Sequence, residues 1–185
     1  METSLRLFYA LWPDEATRKA LAGWQASLSG RKVRPQNLHI TLAFLGKKPL
    51  EMVPQLSNII KALPAEAILL QLDKTGYFSR KRISWAGMKQ TPPGLVRLQH
   101  ELALALTEKN VSFDKRPHSI PHLTLARHSD KPGISTFNPV VWHARHLVLV
   151  ESRSGNDPER PQQNYVILAE RILENQEKMS GLSDN

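Results

Sequence analysis

The sequence predicts an α+β fold, with antiparallel sheets and flanking helices around a central cleft. Three observations predict it. Strand-like and helical segments mix without the regular βαβ alternation of a parallel sheet. One short phrase occurs twice, as Leu38-His39-Ile40-Thr41-Leu42-Ala43 and as Pro121-His122-Leu123-Thr124-Leu125-Ala126. Each copy follows the same order of parts, a helix and then a basic loop containing proline. That is a duplicated arrangement, not a tandem solenoid repeat. A pseudo-two-fold relation between the halves would bring the two histidine strands together at the centre.

The elements follow in chain order. Leu5 to Leu11 alternates as a strand, with Leu5, Leu7, Tyr9 and Leu11 on one face. Pro13-Asp14 opens a helix carrying Ala20, Leu21, Trp24 and Leu28 at helical spacing, and Ser29-Gly30 ends it. A basic loop with Pro35 leads into the first histidine strand, Leu38 to Leu45, which Gly46 stops. A second helix runs from Glu51 to Leu63, and Pro54 fits only in its first turn. Ile68 to Leu72 and Ile83 to Gly87 read as strands.

Pro92-Pro93-Gly94 interrupts the chain near its middle. It is the expected junction, near residues 90–95, between two lobes of a single domain spanning 1–185. A long helix, Leu95 to Lys109, turns Leu95, Leu98, Leu102 and Leu106 inward. Another basic loop, with Pro117 and Pro121, precedes the second histidine strand. Asp130 to Pro139 is loop-like. His146 to Ser152 and Tyr165 to Arg171 read as strands joined by the polar segment Arg153 to Gln163. The polar tail 174–185 is expected to fray.

Composition narrows the class. Hydrophobic content of 41% and well-spaced apolar segments indicate a globular chain. No apolar run approaches the roughly 18 residues of a membrane span. The opening Met1-Glu2-Thr3-Ser4-Leu5-Arg6 has no signal-peptide pattern. Cysteine is absent, which excludes disulfides and thiolate chemistry and fits a cytoplasmic setting. Lys and Arg number 25 against 17 Asp and Glu, a formal charge of +8, so an anionic partner is expected. The basic residues cluster at Arg31, Lys32 and Arg34, at Lys47 and Lys48, at Arg80, Lys81 and Arg82, and at Lys115 and Arg116. A cleft lined by the histidine phrases would have a positive rim that attracts phosphate.

The chemistry lies in the repeated phrase. Side chains at i and i+2 of a strand share a face. His39 and Thr41 therefore project together while Leu38, Ile40 and Leu42 face the other way. His122 and Thr124 repeat the pattern over Leu123 and Leu125. Two imidazoles facing across a cleft suit an acid and a base acting on one small substrate. The bland alternative is two half-buried strands whose histidines only hydrogen-bond locally. Sharing of the intervening apolar residue and the following Leu-Ala favours the catalytic reading.

The paired phrases resemble the two motifs of the 2H phosphoesterase superfamily. The wider match is to the bacterial RNA 2′,3′-cyclic phosphodiesterases, also called 2′-5′ RNA ligases. Arg6-Leu7-Phe8-Tyr9-Ala10 resembles that family's first strand, and Asn37 to Gly46 its first motif over ten positions. Trp85-Ala86-Gly87, Arg116-Pro117, Pro121 to Leu125 and Arg127 also fit, so the resemblance spans about Leu5 to Leu168. It implies a duplicated two-lobed fold and hydrolysis of RNA 2′,3′-cyclic phosphate ends to 2′-phosphomonoesters, with no metal and no cofactor. It implies His39 as proton donor and His122 as proton acceptor; the near-symmetric phrases alone leave that direction open. Running in reverse, the same pair would join RNA ends through a 2′-5′ bond.

Substrate contacts are expected from Thr41 and Thr124, whose hydroxyls can donate to non-bridging phosphate oxygens. Arg127, beyond Thr124, is a candidate phosphate contact or a surface ion pair. Phe8 or Tyr9 could stack a base, although a strand aromatic is more often core, and Trp85 and Tyr77 share that ambiguity. Residues 80–82 could track an RNA backbone or form a solvated turn.

Two rivals stand beside this reading. His118 and His122 are four apart and His143 and His146 three apart, but Pro121 opposes a zinc-binding helix and no His-Glu-x-x-His pattern occurs. His100, His128, His143 and His146 are read as structural or surface groups. A non-catalytic RNA-binding module would share the charge, but no RNA-recognition signature or Gly-rich phosphate loop appears. A 2H enzyme acting on another nucleotide-like cyclic phosphate would use the same acid–base pair. A monomer that binds RNA ends and no membrane is expected.

Overall fold

The computed structural model describes residues 4–64, 66–115, 120–133, 137–153 and 165–174. Among the described residues, ten strands and three α-helices follow in order: β1 (Ser4–Trp12), α1 (Glu15–Ala26), β2 (Arg31–Lys32), β3 (Ile40–Pro49), α2 (Val53–Ala62), β4 (Ile68–Leu72), β5 (Lys74–Phe78), β6 (Ile83–Gly87), α3 (Pro93–Glu108), β7 (His122–Arg127), β8 (Val140–Ala144), β9 (His146–Ser152) and β10 (Tyr165–Ile172). Eight strands form one sheet in the order β10-β9-β1-β3-β7-β6-β5, with β2 also paired to β7. β4 and β8 form a second, two-stranded sheet. Every strand pair in both sheets is antiparallel.

The large sheet has a weak point that matters. β1 and β3 pair from Ser4↔Pro49 to Leu11↔Ile40. β6 and β7 pair from Ile83↔Arg127 to Gly87↔His122. Between these two well-knit halves, β3 and β7 share a single register pair, Ile40↔Leu123. Both residues are fully buried. The sheet therefore hinges open where the two histidine phrases meet.

Hydrophobic patterning explains the packing. Leu7, Tyr9 and Leu11 of β1 enter the main core with Leu21 and Trp24 of α1, Leu56 and Ile60 of α2, and Leu95, Leu98, Leu102 and Leu106 of α3. The opposite face of β1 is also buried: Phe8, Ala10 and Trp12 form a second cluster with Val148 and Val150 of β9, and Tyr165 of β10 packs on it. Burial on both faces turns Leu7 to Trp12 into a continuous buried run, where simple alternation predicts one polar face. Asp14 caps α1 by accepting the Thr17 N–H at 2.7 Å. Gln25 is buried too; its amide donates to the carbonyls of Val33 and Leu125 at 2.8 Å each and ties α1 to β7.

Several expectations need correction. Gly46 does not stop β3, which runs on to Pro49. Leu7 pairs with Gly46 while Phe8 pairs with Phe44, so Leu45 is an extra residue and Gly46, at φ 71°, supplies the bulge. Ala20 is exposed; Thr17 takes its place on the buried stripe of α1. The basic loop after α1 contains a short strand, β2, and β5 and β8 form where no strand was expected. A short 3-10 turn, Leu50–Met52, precedes α2, and Pro54 does lie in the first turn of that helix. Arg116, Pro117, His118, the segment 154–163 and the tail 175–185 lie outside the described residues.

Candidate active site

The hinge in the sheet sets the site. With Ile40 and Leu123 paired and turned into the core, the alternating neighbours His39, Thr41, His122 and Thr124 fall on the other side. β3 and β7 part on either side of that pair, so His39 and Thr41 stand on one side of the opening and His122 and Thr124 on the other.

Both imidazoles are held in one way. Nδ1 of His39 lies 2.7 Å from the Asn37 carbonyl, and Nδ1 of His122 lies 2.7 Å from the Ile120 carbonyl. A carbonyl only accepts, so each neutral ring carries its proton on Nδ1 and its lone pair on Nε2. In both phrases the acceptor sits two residues before the histidine. Asn37 is buried in a 3-10 turn that Pro35 opens and that the Asn37 N–H closes on the Arg34 carbonyl at 2.8 Å. The proline of the basic loop thereby aims the acceptor that fixes His39.

Aromatic rings hold the imidazoles further. Trp12 stacks on His39 with centroids 5.3 Å apart and planes 7° from parallel. Phe8 tilts against the same ring at 5.0 Å, and Tyr165 stands edge-on at 5.2 Å. His122 meets Phe78 edge-on at 4.9 Å and Trp85 at 6.0 Å. Burial drives the His39 pKa down from 6.5 to about 4, against the upward pull of the Asn37 carbonyl; the charges of Arg127 and His122 lower it further. Burial also lowers the His122 pKa, opposed by the Ile120 carbonyl and reinforced by Lys81 and Arg127. Both rings are neutral at pH 7 before an anion arrives.

A cavity of about 270 Å³ opens beside His39. Its walls are Arg31, Lys32, Val33, Arg34, Asn37, His39, Thr124, Arg127 and Tyr165. The backbone explains the positive wall: β2 pairs Arg31 with Arg127 and Lys32 with Ala126, which lays the basic loop along β7. The structure thus brings His39, Thr124 and Arg127 to one cavity. His122 and the half-buried Thr41 do not line it. Phe8, expected to offer a ring to a base, is only 2% exposed and packs its ring against His39, Phe44 and Tyr165.

Sequence reasoning missed Trp12, Phe78, Asn37 and Tyr165 as partners of the histidines. Trp12 had a signal, because it lies four residues after Phe8 and shares its strand face. The doubt over Trp85 resolves in part: it is 4% exposed, yet its ring touches His122. Tyr77 instead donates its hydroxyl to the Ser129 carbonyl at 2.9 Å. Of the remaining histidines, His146 pairs with Glu170 at 2.6 Å and His100, His128 and His143 are exposed. Among the described residues no three His, Cys, Asp or Glu side chains gather as metal ligands would, and no helix is long and apolar enough to cross a membrane.

Two imidazoles of fixed tautomer, two threonines and an arginine thus lie around the hinge of a split antiparallel sheet. The family described as LigT like Phosphoesterase matches residues 11–85. The RNA 2′,3′-cyclic phosphodiesterase of Escherichia coli is 34% identical over 131 residues, covering 69% of this chain and 74% of that protein. The protein of the same name from Thermus thermophilus is 34% identical over 169 residues, covering 80% and 82%. The crystal structure of E. coli LigT in apo form superimposes with a TM-score of 0.78 at 28% identity, covering 93% of this chain and 98% of that one. The same protein has been solved with 3′-AMP and with phosphate. The chain belongs to the LigT-like family of 2H phosphoesterases, which are hydrolases.

Proposed function

We propose that this enzyme hydrolyses the 2′,3′-cyclic phosphate at RNA ends to a 2′-phosphomonoester, using His39 and His122 as acid and base without a metal ion. The observation that carries the reading is the matched fixing of both Nδ1 atoms, each at 2.7 Å from a carbonyl two residues upstream. It presents both Nε2 atoms for proton transfer. The names of the E. coli and Thermus relatives supply the substrate class, and the 3′-AMP complex of E. coli LigT supports a nucleotide in the cleft.

In this mechanism His122 Nε2 takes a proton from water as its oxygen attacks phosphorus, in line with the departing 3′-oxygen. His39 gives a proton to that oxygen as the P–O3′ bond breaks. The products are a 2′-phosphate and a free 3′-hydroxyl, and the two histidines then exchange protons through solvent. Thr41 and Thr124 donate to the non-bridging oxygens, and Arg127 offsets their charge. Each proton transfer contributes on the order of 10²–10⁴ in rate. His39 is neutral in the empty cleft, so the bound anion must recruit its proton. At about 4 Å and an effective dielectric of about 20, a unit charge contributes about 4 kcal/mol, enough to return a group near 4 to near neutrality. Reversal of the same steps with exchanged roles would give 2′-5′ joining.

The test is turnover, in EDTA, of a short RNA ending in a 2′,3′-cyclic phosphate. The expected product carries a 2′-phosphate, and His39→Ala and His122→Ala are inactive but folded. Binding without turnover would mark an RNA-binding module. Loss of turnover in EDTA would mark a metal enzyme.

A further inference from the structure

We propose that the exposed ring of Phe44, with the cationic pair Arg6 and Lys47 beyond it, forms a second subsite. It holds single-stranded RNA upstream of the terminal nucleotide. The proposal rests on the reading of the substrate as RNA.

Register places these groups on the catalytic side of the sheet. Phe44 on β3 pairs with Phe8 on β1, and the two rings lie 5.9 Å apart. Phe8 in turn touches His39. The row continues across the sheet, because Phe8 pairs with Val150 and Val150 with Ile167. Phe8 and Val150 are sealed, whereas Phe44 is 45% exposed and Ile167 is 44% exposed. An open aromatic face therefore stands at the edge of the aromatic cluster around the acid. Its strand is pinned there, because the Asp114 N–H donates to the Phe44 carbonyl at 2.9 Å.

The charges lie in the same direction. Arg6 is two residues before Phe8 on β1 and so shares its face. Lys47 is the register partner of Arg6. Both are exposed, whereas Lys48, which pairs with the core-facing Leu5, is buried and donates to Ser112 at 2.7 Å. The bulge at Leu45 and Gly46 is what returns Lys47 to the side of Phe44. The Phe8 ring stands between the two, with its centroid 5.0 Å from His39 and 5.9 Å from Phe44. The terminal nucleotide, with its phosphate at the histidines, meets the walls beside His39 first, and the nucleotide upstream of it takes the Phe44 ring and the cations beyond. An exposed ring followed by paired cations is the combination that binds single strands without reading sequence, by stacking and by phosphate contact.

The experiment compares two non-reacting probes, adenosine 3′-monophosphate and an RNA of about five nucleotides carrying a 3′-phosphate. Affinities are measured by calorimetry at several salt concentrations. The wild-type chain should bind the longer probe roughly tenfold more tightly than the mononucleotide. Phe44→Ala should remove most of that advantage and leave mononucleotide affinity in place, whereas Phe44→Trp should keep it. The double variant Arg6→Ala/Lys47→Ala should flatten the salt dependence of the longer probe by about 0.7 per lost contact. Equal weakening of both probes by Phe44→Ala would make the ring structural and overturn the proposal. So would transfer of the whole effect to Arg31→Ala/Lys32→Ala, because RNA would then leave through the basic cavity. A chain that binds the longer probe through Phe44 yet turns over no cyclic phosphate would keep this subsite and remove the catalytic reading.

Discussion

Lowering the pH should destabilise this protein through His39 in a defined window. The folded ring titrates near 4, whereas an unfolded histidine titrates near 6.5. Above pH 6.5 the ring is neutral in both states and its burial is tolerated in full. As the pH falls from 6.5 toward 4 the unfolded chain takes up a proton that the folded chain refuses, so stability is lost. Below about 4 both states are protonated and this contribution stops changing. The integrated loss is about 3 kcal/mol at most, and somewhat less because the ring is only half-buried. His122 adds a loss of the same sign. The assay is urea unfolding at pH 7, 6, 5 and 4 for the wild-type chain and for His39→Gln, which retains a donor for the Asn37 carbonyl. The wild-type chain should lose about 2–3 kcal/mol more than the variant across that range. Parallel curves would show that His39 is not held neutral by its aromatic surroundings and would refute the reasoning. Saturating phosphate should narrow the gap, since an anion favours the protonated ring in the folded state.

Other outcomes follow from the same geometry. The optimum of kcat/KM, which reports the free enzyme, should lie below pH 6.5, whereas that of kcat should lie higher because bound phosphate raises both imidazoles; coincident optima would remove the proposed proton recruitment. Arg127→Met should raise KM and move the histidine titrations upward, as NMR would show, because its charge depresses both. Gly76→Ala should disable the enzyme, since a Cβ there would lie 1.9 Å from the Trp85 ring beneath His122; wild-type kcat in that variant would show that Trp85 does not position the base. Gly46→Val should cost about 1–2 kcal/mol in thermal unfolding, because φ is 71° at the bulge.

The sequence carried the features that depend on local pattern. Helix α3 buries Leu95, Leu98, Leu102 and Leu106 as their spacing predicts, and β4, β6 and β9 begin and end where expected. Alternation likewise puts Ile40 and Leu123 in the core with His39, Thr41, His122 and Thr124 on the other side, although a second register shift at Leu42 turns Ala43 into the core as well. Features set by long-range pairing were not legible. β2 exists only because Arg31 and Lys32 lie against β7, nearly a hundred residues on. Gly46 reads as a stop in one dimension and becomes a bulge only once β1 pairs beside it. Phe8 was visible as a strand aromatic, but its burial depends on Tyr165 and β9 from the far end of the chain. The inequality of the two near-identical phrases also arises from tertiary contacts, since Trp12 lies flat on His39 and, among the described residues, no ring lies flat on His122.

The central claim is that both imidazoles serve one phosphorus atom. Its most direct test is a phosphate titration of the ¹⁵N-histidine-labelled protein, following Nε2 of His39 and His122 together. The account predicts that both nitrogens shift along one binding curve, with one phosphate per chain. A phosphate that moves one ring and leaves the other untouched, or two curves of different midpoint, would contradict it.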